Sequence, residues 1–188
     1  MGIRKILTEP NKILREKSLK VENVDSDIQK LMDDMLETLY AAPGIGLAAI
    51  QVGVAKRVIV MDVSRDRDRD RDRNRDKDKE PKKNPMYFVN PEIVWKSEDK
   101  FTYEEGCLSV PNQFAEIDRP KQFHVKHLDY NGHPQELKAD GLLATCIQHE
   151  IDHLEGILFI DYLSKLKKEM IIKKLSKQTK DNIERIVV

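Results

Sequence analysis

The segment Gln148-His149-Glu150-Ile151-Asp152-His153 constrains this chain more than any other part of its sequence. It follows a largely apolar run over 142–147, which is typical of a buried helix. Two histidines four positions apart lie on the same face of a helix, so they can bind one metal ion together. Glu150, beside the first histidine, would then face whatever else the metal binds. The segment predicts a catalytic metal site, and the alternative is a pair of ordinary histidines on a solvated helix face.

A catalytic zinc or iron(II) site needs a third protein ligand and keeps one position open. The favoured candidate is Cys107, in the segment Glu105-Gly106-Cys107-Leu108-Ser109, because a thiolate suits a soft or borderline metal. Cys146 lies three residues before the first histidine of the motif and shares its helix face. A structural site with both cysteines and both histidines as ligands is therefore an open alternative, and it would leave Glu150 without a role.

Composition suits one ordinary domain rather than a strongly basic or membrane-bound protein. The length of 188 residues predicts a single catalytic domain over 1–188. Lysine plus arginine equals aspartate plus glutamate at 33 each, so net charge gives no argument for binding DNA or a membrane. The chain has two cysteines and no apolar run near the ~20 residues of a membrane span. We therefore expect a protein of the reduced cytoplasm.

Helices are predicted near both ends of the chain. Ser26-Asp27-Ile28-Gln29 fits a capping box, and apolar residues at helical spacing follow it until Pro43. Segment 164–180 predicts a lysine-rich helix docked on the sheet. Its apolar stripe would contain Leu163, Leu166, Met170 and Ile171.

Strands are predicted between these helices. β-Branched residues fill 57–63, and strand structure resumes over 86–95 with a break at Pro91. A hairpin is predicted over 121–137, with Asn131-Gly132 as its turn. Cations and anions alternate almost strictly over 65–80, and such a run cannot bury enough surface to offset its ordering entropy. We therefore expect residues 65–83 to form a mobile inserted loop.

Small side chains are concentrated in one short segment, Gly44-Ile45-Gly46-Leu47-Ala48-Ala49-Ile50-Gln51. Such a stretch lets another backbone approach closely. Gln51 then adds a polar group with both donors and an acceptor. A phosphate-binding loop is rejected, because no lysine followed by serine or threonine comes after the glycines. A tight loop capped by a glutamine is an equally good interpretation of this stretch alone.

Three of these segments, 44–51, 105–109 and 148–153, resemble the signature motifs of peptide deformylases, in their order. The likeness covers nearly the whole chain, and only the charged stretch over 65–83 departs from it. The resemblance implies an α+β fold in which antiparallel strands pack around a central metal-binding helix, with an N-terminal helix and a lysine-rich C-terminal helix. It also implies that the chain removes the formyl group from the N-terminal formyl-methionine of new polypeptides and releases formate.

The resemblance further implies a role for each residue of the site. Cys107, His149 and His153 would hold Fe²⁺, with Zn²⁺, Ni²⁺ or Co²⁺ as substitutes. Glu150 would be the general acid and base, and Gln51 and the backbone N–H of Leu108 would stabilise the negative oxygen of the tetrahedral intermediate. The substrate would be bound by Ile45, Gly46, Tyr103, Glu105, Gly106, Leu142, Thr145 and Cys146.

Further expectations concern partners and supporting residues. Glu105 and Arg119 would pair and hold the cysteine segment. Phe114 stands where many relatives carry arginine, near the downstream end of the peptide. The lysine-rich helix would offer the ribosome a contact surface. Two alternatives are a zinc peptidase, which would cleave unformylated peptides, and a non-catalytic structural metal module, which would use Cys146 as a fourth ligand.

Overall fold

The computed structural model describes residues 2–64 and 83–186, with 179–186 as backbone only. Within these ranges it contains helices and antiparallel strands, which confirms the predicted α+β class. The helices are α1 (Ser26–Ala41), α2 (Gly141–Leu154) and α3 (Lys165–Ile186). The strands are β1 (Gly46–Ala48), β2 (Val58–Met61), β3 (Met86–Lys96), β4 (Lys100–Cys107), β5 (Val110–Pro120), β6 (Gln122–Leu128) and β7 (Pro134–Asp140).

Two antiparallel sheets enclose the motif-bearing helix α2. Five strands pair in the order β1-β2-β3-β6-β7, and β4 pairs with β5 in a two-stranded ribbon. Helix α2 contacts both the large sheet and β5. Its apolar residues Ala144, Ile147 and Leu154 pack with Phe88 and Phe123 of the large sheet. The His-Glu-x-x-His segment is therefore buried between the large sheet and the ribbon.

Helix α1 packs near the same sheet through its predicted apolar face. Leu31, Met35 and Leu39 share a core cluster with Val58 and Val60 of β2. Alternate residues of this strand, such as Ile59, belong instead to the cluster that contains α2. Since successive side chains of a strand point to opposite faces, both faces of β2 are buried, and its continuous apolar sequence follows from that.

The predicted capping box of α1 is wrong by one residue. The cap is Asp25, whose carboxylate accepts hydrogen bonds from the backbone N–H groups of Asp27 and Ile28. Ser26 is the first helical residue. The Gln29 side chain donates to the carbonyl of Tyr130 instead of closing a box. A carboxylate satisfies the exposed N–H groups of a helix start and also matches the positive end of its dipole.

The predicted break at Pro91 is also wrong. Strand β3 continues from Met86 to Lys96, and Pro91 lies where its pairing with β6 shifts register between Val89 and Glu92. Asn90 has a positive φ of 51° there. Such a bulge leaves one residue out of the ladder, so it accepts a proline that has no N–H to donate.

The C-terminal helix is confirmed, but its predicted apolar stripe is wrong in part. Leu166 and Met170 are 71% and 63% exposed. The helix packs through Ile171 and Leu175, in one cluster with Ile117 of β5. No helix among the described residues is long and apolar enough to cross a bilayer. Of the charged loop predicted over 65–83, all but Lys83 lies outside the described residues.

Candidate metal centre and its cleft

The three predicted metal ligands meet where β4 ends beside the middle of α2. The Sγ atom of Cys107 and one ring nitrogen from each of His149 and His153 all lie within 4.8 Å of one another. Cys107 is the last residue of β4, at a register shift in its pairing with β5. The two imidazoles come from successive turns of α2, with 5.0 Å between ring centroids. One thiol and two imidazoles are thus placed to share a single ion.

The contacts of the two imidazoles are compatible with metal binding. The Nδ1 atom of His149 lies 2.7 Å from a carboxylate oxygen of Glu105, so Nδ1 donates and Nε2 is left for a metal. The Nε2 atom of His153 lies 3.2 Å from the Cys107 sulfur. Zn²⁺ and Fe²⁺ both accept such a donor set, and three protein ligands leave a position open for water.

Cys146 does not join this group. Among the described residues, the cluster that could hold a metal consists of Cys107, His149 and His153. The Cys146 thiol is buried against β1, since a methyl group at Gly46 would lie 2.9 Å from its sulfur. The geometry therefore argues against the four-ligand structural site and places Cys146 on the wall of the cleft.

A buried ion-pair network holds the first histidine. Glu105 accepts hydrogen bonds from Nε and Nη2 of Arg119 at 2.5 and 3.0 Å, which confirms the predicted pair. The third arm of the guanidinium donates to Asp152 at 2.8 Å. Burial alone would raise the pKa of Glu105, but the hydrogen bonds from His149 and Arg119 outweigh it and lower that pKa. Glu105 therefore stays ionised and fixes the orientation of the imidazole. The place of Asp152 in this network was not predicted.

Glu150 is a buried carboxyl group with one oxygen unsatisfied. Its Oε2 atom has no hydrogen-bond partner among the described residues, and the side chain is 4% exposed. Burial raises the pKa of Glu150 to about 7. The other oxygen lies against Gly46, where any side chain would collide with it. A carboxyl group with this pKa can take up or release a proton near neutral pH.

The Gln51 amide is held in one orientation. Its oxygen accepts the backbone N–H of Ala48 at 2.8 Å, so its NH₂ group must face the other way. That nitrogen donates to the Ser109 hydroxyl at 3.0 Å and lies 3.5 Å from the Cys107 sulfur. Sequence reasoning gave Ser109 no role, although it belongs to the cysteine motif. The amide donors of Gln51 thus lie beside the ligand cluster.

A cleft of about 550 Å³ opens onto this cluster. One wall is β1, which lies at the end of the five-stranded sheet and pairs on one side with β2. The described lining includes the predicted catalytic residues Gln51, Leu108 and Glu150 and every predicted substrate-binding residue: Ile45, Gly46, Tyr103, Glu105, Gly106, Leu142, Thr145 and Cys146. Phe114 and Glu104 of the ribbon also line it. Among the described strands, the outer edge of β1 is unpaired, and Gly46 of this strand lines the cleft.

The chain is similar in sequence and fold to known proteins that share one description. The family model for polypeptide deformylase matches residues 3–169. A peptide deformylase of Pelagibacter ubique is 66% identical over 177 residues, which cover 94% of this chain and 95% of that relative. A crystal structure of peptide deformylase from Ehrlichia chaffeensis has a TM-score of 0.86 at 44% identity, and the match covers 97% of this chain and 99% of that one. A second, in complex with actinonin, has a TM-score of 0.84 at 46% identity, covering 95% and 98%. Since the matches extend along almost the whole chain and include its three motifs, the chain belongs to the peptide deformylase family.

Proposed function

We propose that the cleft carries out the deformylase reaction with the residues that its geometry brings together. The chain hydrolyses the formyl amide of N-formyl-methionyl polypeptides, so that formate and a free amino terminus are the products. The observation that carries the assignment of roles is the convergence of three metal-capable side chains, a buried carboxyl group and an oriented amide in one cleft.

Cys107, His149 and His153 would hold the metal, and we propose Fe²⁺ as the native ion, with Zn²⁺, Ni²⁺ or Co²⁺ as substitutes. A thiolate with two imidazoles suits these borderline cations better than Mg²⁺ or Ca²⁺. When bound, the ion supplies Lewis acidity that lowers the pKa of a water molecule and so provides hydroxide near neutral pH. Glu105 supports the site because it keeps Nδ1 of His149 as a hydrogen-bond donor.

Glu150 is proposed as the general acid and base. It lies next to His149 on the helix, and its Oε2 atom is not engaged by any described residue. It would take the proton of the attacking water as the new C–O bond forms. It would then deliver this proton to the nitrogen as the C–N bond breaks, which lets the amine leave without charge build-up.

The formyl oxygen becomes negative during attack and needs hydrogen-bond donors. Gln51 is proposed as one donor, since the N–H of Ala48 fixes its amide with the NH₂ group toward Cys107. The backbone N–H of Leu108, which follows Cys107 in the chain, is proposed as the second. A donor of this kind typically contributes about 3 kcal/mol to transition-state stability.

The substrate backbone is proposed to lie along β1 as an added strand. The small residue Gly46 permits a close approach, and the outer edge of this strand is unpaired among the described strands. The methionine side chain would enter the part of the cleft formed by Leu142, Thr145 and Cys146 of α2. An unbranched thioether chain suits a narrow apolar pocket.

We infer further that the enzyme works in the cytoplasm and meets its substrates at the ribosome. Cys107 and Cys146 form no disulfide bond, which is consistent with a reducing compartment. Helix α3 exposes Lys173, Lys174 and Lys177, a basic surface that suits ribosomal RNA. Replacing these three lysines with glutamate should weaken cosedimentation with ribosomes and leave the hydrolysis of short peptides unchanged. Unchanged cosedimentation would remove α3 as the contact.

The proposed roles are tested by formate release from a formyl-Met tripeptide, with metal-loaded protein under oxygen exclusion. The unformylated and acetylated peptides should give no product, and a chelator should abolish formate release. Glu150→Ala should retain its metal yet lose turnover, whereas Glu98→Gln, on an exposed surface, should match the parent protein. Cleavage of the unformylated peptide would establish a peptidase instead, and full activity of Glu150→Ala would remove its role as acid and base.

A further inference from the structure

Tyr162 connects the protein surface to the buried ion-pair network that holds the first histidine of the motif. It is the last residue of the short 3-10 helix Phe159–Tyr162 and is 52% exposed. Its hydroxyl donates to Oδ2 of Asp152 at 2.8 Å. The same oxygen accepts the hydrogen bond from Nη1 of Arg119. One carboxylate oxygen thus joins the tyrosine to the guanidinium that pairs with Glu105.

The ring of Tyr162 makes a second contact with this network. The guanidinium carbon of Arg119 lies 5.2 Å from the ring centroid. An aromatic face attracts a cation at this distance, and more strongly where water is kept out, as at this buried side chain. Burial, together with the charge of Asp152, raises the pKa of Tyr162 to about 12, so its hydroxyl stays a donor at neutral pH. Tyr162 therefore holds Arg119 both directly and through Asp152.

The short helix that carries Tyr162 is itself held in place. Asp161 pairs with Arg15 of the N-terminal segment. Phe159 is 1% exposed, and its ring lies nearly parallel to the imidazole of His149, with 6.3 Å between centroids. Tyr162 therefore projects from a fixed turn that also contacts one of the predicted metal ligands.

The network provides a route from Tyr162 to that ligand. Arg119 donates two hydrogen bonds to Glu105, and the same carboxylate accepts Nδ1 of His149. A guanidinium is planar and its donors form a rigid fork, so a tilt of the group changes all of its hydrogen bonds together. Without the contacts from Tyr162, the guanidinium would be free to tilt, and the carboxylate of Glu105 would follow it.

We propose that Tyr162 is a positioning residue of the metal centre. It acts through the Asp152–Arg119–Glu105 network and keeps the imidazole of His149 in the orientation that binds the ion. The inference rests on the proposed function, because it takes this histidine as a ligand of the catalytic metal. Tyr162 is not among the residues that line the cleft. Its replacement should therefore change metal affinity and leave the contacts of the substrate intact.

The test is competition for Zn²⁺ between the protein and a chromophoric chelator, with Tyr162→Phe beside the parent. This variant lacks one hydroxyl and keeps the ring. Its Zn²⁺ affinity should fall about three- to tenfold, less than the 10–100-fold loss typical of a residue that contacts a ligand directly. KM for a formyl-Met tripeptide, measured with excess metal, should be unchanged. Tyr130→Phe is the matched control, because it removes a hydroxyl that donates to Asp33 at 3.2 Å, and it should keep the affinity of the parent.

A double-mutant cycle separates positioning from a general loss of stability. Glu105→Gln interrupts the network before it reaches His149, so Tyr162→Phe should cause no further loss of Zn²⁺ affinity in that background. A purely structural effect would lower the affinity by the same factor in both backgrounds. Tyr162→Leu, which also removes the ring, should lower the affinity of the parent further than Tyr162→Phe does.

Equal Zn²⁺ affinity of the parent and Tyr162→Phe would overturn this inference and leave the proposed function standing. So would a loss that persists in full in the Glu105→Gln background, or an equal loss in Tyr130→Phe. A parent protein that binds no Zn²⁺ would overturn the proposed metal centre, and the positioning role of Tyr162 with it.

Discussion

Replacing Glu105 with glutamine should weaken both the fold and the metal site. The carboxylate has two oxygens and three hydrogen-bond donors around it, two from Arg119 and one from Nδ1 of His149. Glutamine has almost the same shape, but one of its two terminal atoms becomes an NH₂ donor. In either orientation this NH₂ group faces an N–H of Arg119 or His149. The substitution therefore removes a charge and creates a clash between donors without leaving a cavity.

The size of the stability loss can be estimated from the burial of the Glu105–Arg119 ion pair. Glu105 and Arg119 are each 4% exposed, so the guanidinium would be left in the interior with Asp152 as its one remaining carboxylate. Breaking a buried ion pair costs 3–5 kcal/mol, and about 3 kcal/mol is expected here because Asp152 still neutralises part of the charge. For a chain of this length that corresponds to a decrease in Tm of about 6–12 °C. Loss of the partner that orients a metal-binding imidazole should also lower metal affinity about 10–100-fold.

Two measurements separate these effects. Thermal unfolding of the metal-free protein reports the ion pair, and competition with a chelator reports the metal affinity. Glu104→Gln is the control, since it makes the same chemical change on an exposed neighbour of the same strand and should move Tm by no more than about 2 °C. A metal-free Glu105→Gln variant with the Tm of the parent would refute the ion-pair argument. Unchanged metal affinity would refute the role assigned to the contact with His149.

Two further changes test the oxyanion donor and the inserted segment. Gln51→Ala should lower kcat about 100-fold with a smaller effect on KM, because its amide is proposed to act in the transition state. The opposite pattern in steady-state kinetics would make it a binding residue. Deletion of 66–79 should change Tm by no more than about 4 °C, since the buried Asp62 accepts hydrogen bonds from Tyr40, Ser64 and Asn84 on both sides of the segment. A larger loss in thermal unfolding would contradict the interpretation as an inserted loop.

The parts of the site that depend on local geometry could be predicted from sequence. Histidines four apart on a helix must share a face, so the pairing of His149 with His153 follows from helical geometry alone. Asp152 and Arg119 are different, because they meet across 33 positions of sequence through the packing of α2 on β5. No local pattern marks such a contact.

Two of the errors, the helix cap and the apolar stripe, share a physical cause, which is competition between adjacent candidate residues. Asp25 and Ser26 are both good helix caps, and the choice depends on where the helix starts to pack. The C-terminal helix offers apolar residues on more than one side. Ile171 and Leu175 are buried because they face β5, whereas the equally apolar Leu166 and Met170 are exposed. Helical periodicity predicts that a helix has an apolar face. Which side of the helix is buried depends on its tertiary contacts.

Cys146 shows that residues on one face of a helix do not necessarily reach the same metal ion. It lies seven residues before His153, so the two directions differ by only about 20°, and sequence alone made it a reasonable fourth ligand. Seven residues also separate them by about 10 Å along the helix axis, whereas the histidines are about 6 Å apart. An ion between the two histidines is therefore out of reach of this thiol, and β1 covers it through Gly46. Cys107, on another element, approaches from the side, and its sulfur lies within 4.8 Å of a ring nitrogen of each histidine.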